Sequence, residues 1–167
     1  MDAFNQGLQR GYNSVLDSVN SPSNAGADPT RPAKNASRSV REQYARDVQT
    51  RFQGWLAGND PASTIDPQSV TAQWMYESKW ETSSLSEFNN LGGMKINGTW
   101  AKYDSLGGFF QSYMDRIYNN TARYGAAQGL SGEAYINALV DAHYVTGPGA
   151  ADYTKQVMRI YNQLYGN

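Results

Sequence analysis

The sequence predicts a mainly α domain with one small β-hairpin, preceded by an amphipathic helix and a linker. Three observations carry that expectation. Apolar residues recur at steps of three and four along most of the 167 residues, the period of a helix with one buried face. Asn97 and Gly98, between two short β-prone arms, form the one strong strand signal and call for a two-residue type I′ turn. Residues 20–38 are instead rich in Ser, Asn, Ala, Gly and Pro, which suits an extended connection.

Residues 3–20 place Phe4, Leu8, Tyr12, Val15, Leu16 and Val19 on one helical stripe. Nothing adjacent offers that stripe a partner, so it reads as a docking element joined by a linker at 21–38. The remaining 39–167 form the domain. Its first helix carries Val40, Tyr44, Val48, Phe52 and Trp55, with Ser39 as the expected N-cap. Asp66 caps the second, with Pro67 in its first position. After the hairpin, Tyr103, Asp104 and Ser105 lead into a helix over 106–118, with Asp104 a candidate cap. A short helix near 119–127, one over 131–143 opened by Ser131, and one over 150–165 complete the chain.

Residues 72–95 are where chemistry concentrates. Val70, Trp74 and Met75 mark an apolar helical face, and Glu77 then interrupts it. A carboxylate in such a place is costly unless it is paired, neutral or put to use. Asn89, Asn90, Gly92 and Gly93 follow, amides and glycines that let backbone approach a ligand. A helix-borne acid beside an amide-rich, glycine-containing loop suggests a general acid at a sugar-binding cleft.

These residues resemble a known family. Glu77-Ser78, Trp80, Thr82-Ser83, Leu85, then Asn89-Asn90-Leu91, Gly93-Met94-Lys95, and finally Tyr144-Val145-Thr146 are similar to the ordered motifs of the peptidoglycan N-acetylglucosaminidases of glycoside hydrolase family 73. That family includes the flagellar rod-cap muramidase domain and autolysins, and the likeness runs over about residues 48–165. It implies a lysozyme-like helical domain that cleaves β-1,4 glycosidic bonds of the glycan strand. It also implies Glu77 as the general acid, Tyr144 as a second catalytic group in the cleft, and Trp80, Asn89, Asn90, Gly93 and Lys95 as substrate-binding positions. Lys79 and Glu81 stand where the family has glycines, and Gly147 where it favours Asp. The lobe that often supplies the family's second carboxylate has shrunk here to the hairpin, leaving Glu81, Glu87 and Asp104 as candidates. If the helix continued past Glu77, Glu81 would share its face at i,i+4 and raise its pKa further. With one acid alone, the substrate's own 2-acetamido group would serve as nucleophile.

Composition limits the alternatives. A net charge of −1 gives no basic field for nucleic acid. No stretch reaches the roughly 18 apolar residues of a membrane span, and no secretory signal is visible at the N-terminus. Cysteine is absent, and the single His143 has no companion for a metal, so no metal and no cofactor are expected. Four Trp and twelve Tyr are consistent with sugar stacking as well as with core filling. The partners expected are peptidoglycan and a larger assembly engaged through residues 3–20, a phage tail or virion first and another envelope-crossing machine next. Lytic transglycosylase and a decayed structural or glycan-binding tail component are the rival functions.

Overall fold

The computed structural model describes residues 27–80 and 87–166. The expected docking helix over 3–20 and the position of Glu81 lie outside the described residues. Within them the domain is helical: α1 (Arg38–Asn59), α2 (Pro67–Glu77), α3 (Leu106–Tyr113), α4 (Thr121–Tyr124), α5 (Gly132–Asp141) and α6 (Ala150–Tyr165). Strands β1 (Lys95–Ile96) and β2 (Thr99–Trp100) pair antiparallel, Lys95 opposite Trp100 and Ile96 opposite Thr99. Asn97 and Gly98 both have positive φ, 52° and 79°, as a type I′ turn requires. No helix among the described residues is long and apolar enough to cross a membrane.

Helix α2 lies at the centre, against α1, α5 and α6. Its start is fixed by Asp66, whose carboxylate accepts from the Gln68 and Ser69 amides, with Pro67 directly after it. Val70, Trp74 and Met75 are fully buried. Trp74 is the hub of an aromatic cluster. Its ring is 5.0 Å from Phe52 and from Phe109, 5.1 Å edge-on from Tyr113, and stacked 5.4 Å from Phe110. Rings in such geometries add about 1 kcal/mol per pair to area burial. The cluster therefore fixes the orientation of α2, and with it whatever the helix end carries.

Three boundaries differ from the sequence expectation. Ser37, not Ser39, caps α1, its side chain accepting from the Val40 amide, and Val40 is left 51% exposed. Ser105, not Asp104, caps α3 by accepting from the Gly108 amide. The helix expected over 106–118 changes after Tyr113 into a π-helical turn, Met114–Tyr118, closed by the Asn119 amide on the Met114 carbonyl at 2.7 Å. Such turns insert a residue and re-aim those that follow. The described end of the expected linker is also fastened to the domain. Asp28 accepts from Arg51 Nε at 3.2 Å and from the Leu106 amide at 2.9 Å.

Candidate active site

Glu77 is the last residue of α2. Beyond it the chain turns back in a left-handed cap. The Lys79 amide donates to the Tyr76 carbonyl and the Trp80 amide to the Met75 carbonyl, with φ of 53° and 58° at Lys79 and Trp80. The cap ends the helix under its acid. Helix α2 therefore closes at Glu77.

The facing loop is built by Asn90. This buried amide donates to the Met94 and Ala101 carbonyls and accepts from the Met94 amide, at 2.8–3.0 Å. Asn89 donates to the Tyr103 carbonyl at 2.8 Å and sits at φ 50°. Both side chains are thus turned to backbone. What they present to the cleft is Gly93, at φ 58°, so close to the acid that an added Cβ would lie 3.3 Å from Glu77 Oε2. The same Cβ would be 4.0 Å from the Trp100 ring, which is 43% exposed on the hairpin.

A second left-handed cap ends α5. The His143 amide donates to the Val140 carbonyl and the Tyr144 amide to the Leu139 carbonyl, with His143 at φ 59°. This cap delivers Tyr144 to the cleft, where its hydroxyl donates to the Gly92 carbonyl at 3.0 Å. Arg123 braces the turn by donating to the carbonyls of Ala142 and His143.

Tyr153, on the first turns of α6, donates to Glu77 Oε1 at 2.6 Å. Burial raises the Glu77 pKa above the ordinary 4.5, and the Tyr153 bond offsets only part of that rise. Its place at the negative end of α2 acts in the same direction as burial. Burial, then neighbouring groups including the Glu77 charge, holds the Tyr144 and Tyr153 hydroxyls well above 10, so both remain neutral donors. Glu77, Gly92, Gly93, Met94, Lys95, Arg116, Ile117, Asn120, Arg123, Tyr124, Tyr144 and Val145 line a cleft of about 380 Å³. Glu77 is the one carboxylate among those described lining residues. A larger concavity on α5 and α6, about 980 Å³, holds no buried titratable group. A half-buried acid of raised pKa lining a polar-walled cleft is the arrangement that donates a proton to a leaving oxygen.

Residues 59–166 match the glucosaminidase family, described as mannosyl-glycoprotein endo-beta-N-acetylglucosaminidase. The chain belongs to that family. Among solved structures, a peptidoglycan hydrolase mutant from Sphingomonas sp. A1 superposes with a TM-score of 0.56 at 21% identity, covering 74% of this chain and 92% of that one. A type VI secretion system effector–immunity complex from Pseudomonas protegens superposes with a TM-score of 0.54 at 19% identity, covering 76% and 95%. At these identities the likeness is one of fold. No curated protein matches the chain.

Within this glucosaminidase domain, Glu77, Tyr144, Gly93 and Lys95 meet at one cleft. Asn89 and Asn90 stand behind its floor. Trp80 is half-buried against the core, and Trp74 is fully buried as the aromatic hub. Asp104 is exposed and is not among the residues lining the cleft. Sequence reasoning missed Tyr153, Trp100, Arg116, Asn120 and Arg123. Tyr153 was legible only as one member of the apolar stripe of α6, because its hydroxyl reaches Glu77 across 76 residues of chain.

Proposed function

We propose that this domain hydrolyses β-1,4 bonds of peptidoglycan glycan strands after N-acetylglucosamine, with Glu77 as general acid. The observation that carries the reading is Glu77 itself: half-buried, raised in pKa, packed on Gly93 and held by Tyr153 in the cleft. The family match supports glycosidase chemistry, and the Sphingomonas peptidoglycan hydrolase shares the fold.

Protonated Glu77 gives its proton to the glycosidic oxygen as the C1–O bond breaks. The carbonyl oxygen of the substrate's 2-acetamido group bonds to C1 and stabilises the positive centre. Glu77, now a carboxylate, takes a proton from the water that attacks C1 and reopens the ring. Tyr144 orients the acetamido group from the wall of the cleft, and Tyr153 positions the Glu77 carboxylate. A lone carboxylate among the described lining residues supports this route over one with a second acid across an intervening water. Delivery to the cell envelope by a larger assembly through residues 3–20, a phage tail first, belongs to the same reading.

The test is digestion of purified peptidoglycan by wild type and Glu77→Gln, with products reduced by borohydride and weighed. Reducible N-acetylglucosamine ends that vanish in the variant support the proposal. Anhydro-muramyl ends reassign the domain to lytic transglycosylases. Inert protein, folded and tried across pH, turns it into a glycan-binding scaffold. The anomer released, followed by NMR, separates mechanisms: retention fits acetamido participation, and inversion requires a second carboxylate, Glu81 first.

A further inference from the structure

The cleft is cationic on a protein that is not. The chain holds 14 Lys and Arg against 15 Asp and Glu, yet Lys95, Arg116 and Arg123 line the same small cleft as Glu77, the one acid among its described lining residues. The partners described for Lys95 and Arg123 are neutral. Lys95 lies over the Trp100 ring at 4.4 Å. Arg123 donates to the carbonyls of Ala142 and His143 and lies 5.0 Å over Tyr124, so it is fixed in place with no carboxylate among its described partners. Arg116 is exposed on the π-helical turn, and the neighbouring Asp115 carboxylate accepts from Gln111. Among the described residues, the ion pairs Arg38–Glu42 and Arg51–Asp28 lie elsewhere. Converging like charges repel, and their concentration in one cleft of a near-neutral protein is complementary to an anion.

A plain N-acetylglucosamine polymer supplies no anion. Wall glycan does, through carboxylates borne on the lactyl groups of peptide-free muramic acid or on stem peptides. We propose that Lys95, Arg116 and Arg123 form a carboxylate-reading rim that selects charged wall strands over neutral chitin-like ones. The proposal rests on the peptidoglycan reading above and concerns binding, not proton transfer. Arg116 is the most informative position, since its side chain is exposed and no described bond ties its guanidinium to the fold.

The experiment compares kcat/KM on three substrates: neutral N-acetylglucosamine hexamer, glycan strands bearing stem peptides, and the same strands stripped by an amidase to free lactyl carboxylates. Wild type, Arg116→Gln and Arg116→Lys are assayed, with circular dichroism to establish folding. The expected result is a wild-type preference for charged over neutral substrate of about tenfold or more, as one charge-assisted contact provides. That preference weakens as salt rises to about 0.5 M. Arg116→Gln reduces the charged-to-neutral ratio about tenfold, and Arg116→Lys keeps most of it. Faster cleavage of peptide-bearing strands assigns the anion to the stem peptide, and faster cleavage of stripped strands assigns it to the lactyl group. Equal wild-type rates on neutral and charged substrates, or an Arg116→Gln ratio equal to wild type, overturn the proposal. Cleavage of none of the three instead removes the peptidoglycan reading beneath it.

Discussion

The Tyr153 hydroxyl donates to Glu77 Oε1 at 2.6 Å, joining the start of α6 to the last residue of α2. The bond stabilises the carboxylate and so lowers a pKa that burial raises. Tyr153→Phe removes only the donor. Glu77 then becomes a weaker acid, and the alkaline limb of the kcat/KM profile moves to higher pH, with the maximum falling about tenfold or more. A tyrosine that merely filled space would leave the position of that limb unchanged when its hydroxyl is removed.

Glu77 also links stability to pH. Its folded pKa lies above the ordinary value of 4.5, so the folded state holds its proton more tightly than the unfolded chain does. Stability from this group is therefore full below 4.5 and is lost as pH rises through the folded pKa. Glu77→Gln lacks this loss. Urea melts of the two proteins across pH are expected to show the variant gaining on wild type as pH rises through that window. A difference that stays flat with pH would contradict a raised pKa.

Asn90 serves the site from behind. Asn90→Ala leaves the Met94 amide and the carbonyls of Met94 and Ala101 without their buried partner. The Met94 carbonyl keeps the Ala101 amide as a donor, so the expected cost, about 3 kcal/mol, comes mainly from the Met94 amide and the Ala101 carbonyl. Activity should fall with it, because the same bonds place Gly93 against Glu77. Chemical denaturation monitored by tryptophan fluorescence measures the first effect directly.

Much of this was legible in the chain. Asp66-Pro67, Asn97-Gly98 and the stripes of α5 and α6 encode local structure through neighbours, so their spacing suffices. Glu77 and Tyr144 were legible as residues of one cleft because they stand at motif spacing. The π-helical turn was not, since Met114–Tyr118 continues an apolar helical pattern and its extra residue is absorbed by tertiary packing. The cap at Lys79 was hidden for another reason. Residues with β-carbons seldom adopt φ near 53°, so lysine gives no sign of a turn that glycine would announce.

That cap yields its own prediction. Lys79 holds a left-handed backbone that costs a residue with a β-carbon about 1 kcal/mol more than glycine. Lys79→Gly relieves this strain but gives the unfolded chain more freedom, so the net gain is at most about 1 kcal/mol, near 2–4 °C in Tm for a chain of this size. His143→Gly repeats the experiment at the cap that delivers Tyr144. Calorimetry showing both variants less stable than wild type would mean that their side-chain contacts outweigh the backbone term.

Trp100 supplies the last test. The ring is 43% exposed, stands within 4.0 Å of a Cβ built on Gly93, and carries Lys95 on one face. An exposed indole held beside the acid by a two-residue hairpin costs solubility without serving the core. Its flat surface is suited to stack on a pyranose ring, with the hairpin fixing its approach to Gly93. Trp100→Ala is expected to raise KM about tenfold, the worth of one such face contact, with kcat changed far less. Trp100→Phe should recover most of the loss. If KM stays constant while the melting temperature drops, the ring belongs to the hairpin's own packing and the sugar is held by other cleft residues, such as Arg116, Asn120 and Tyr124.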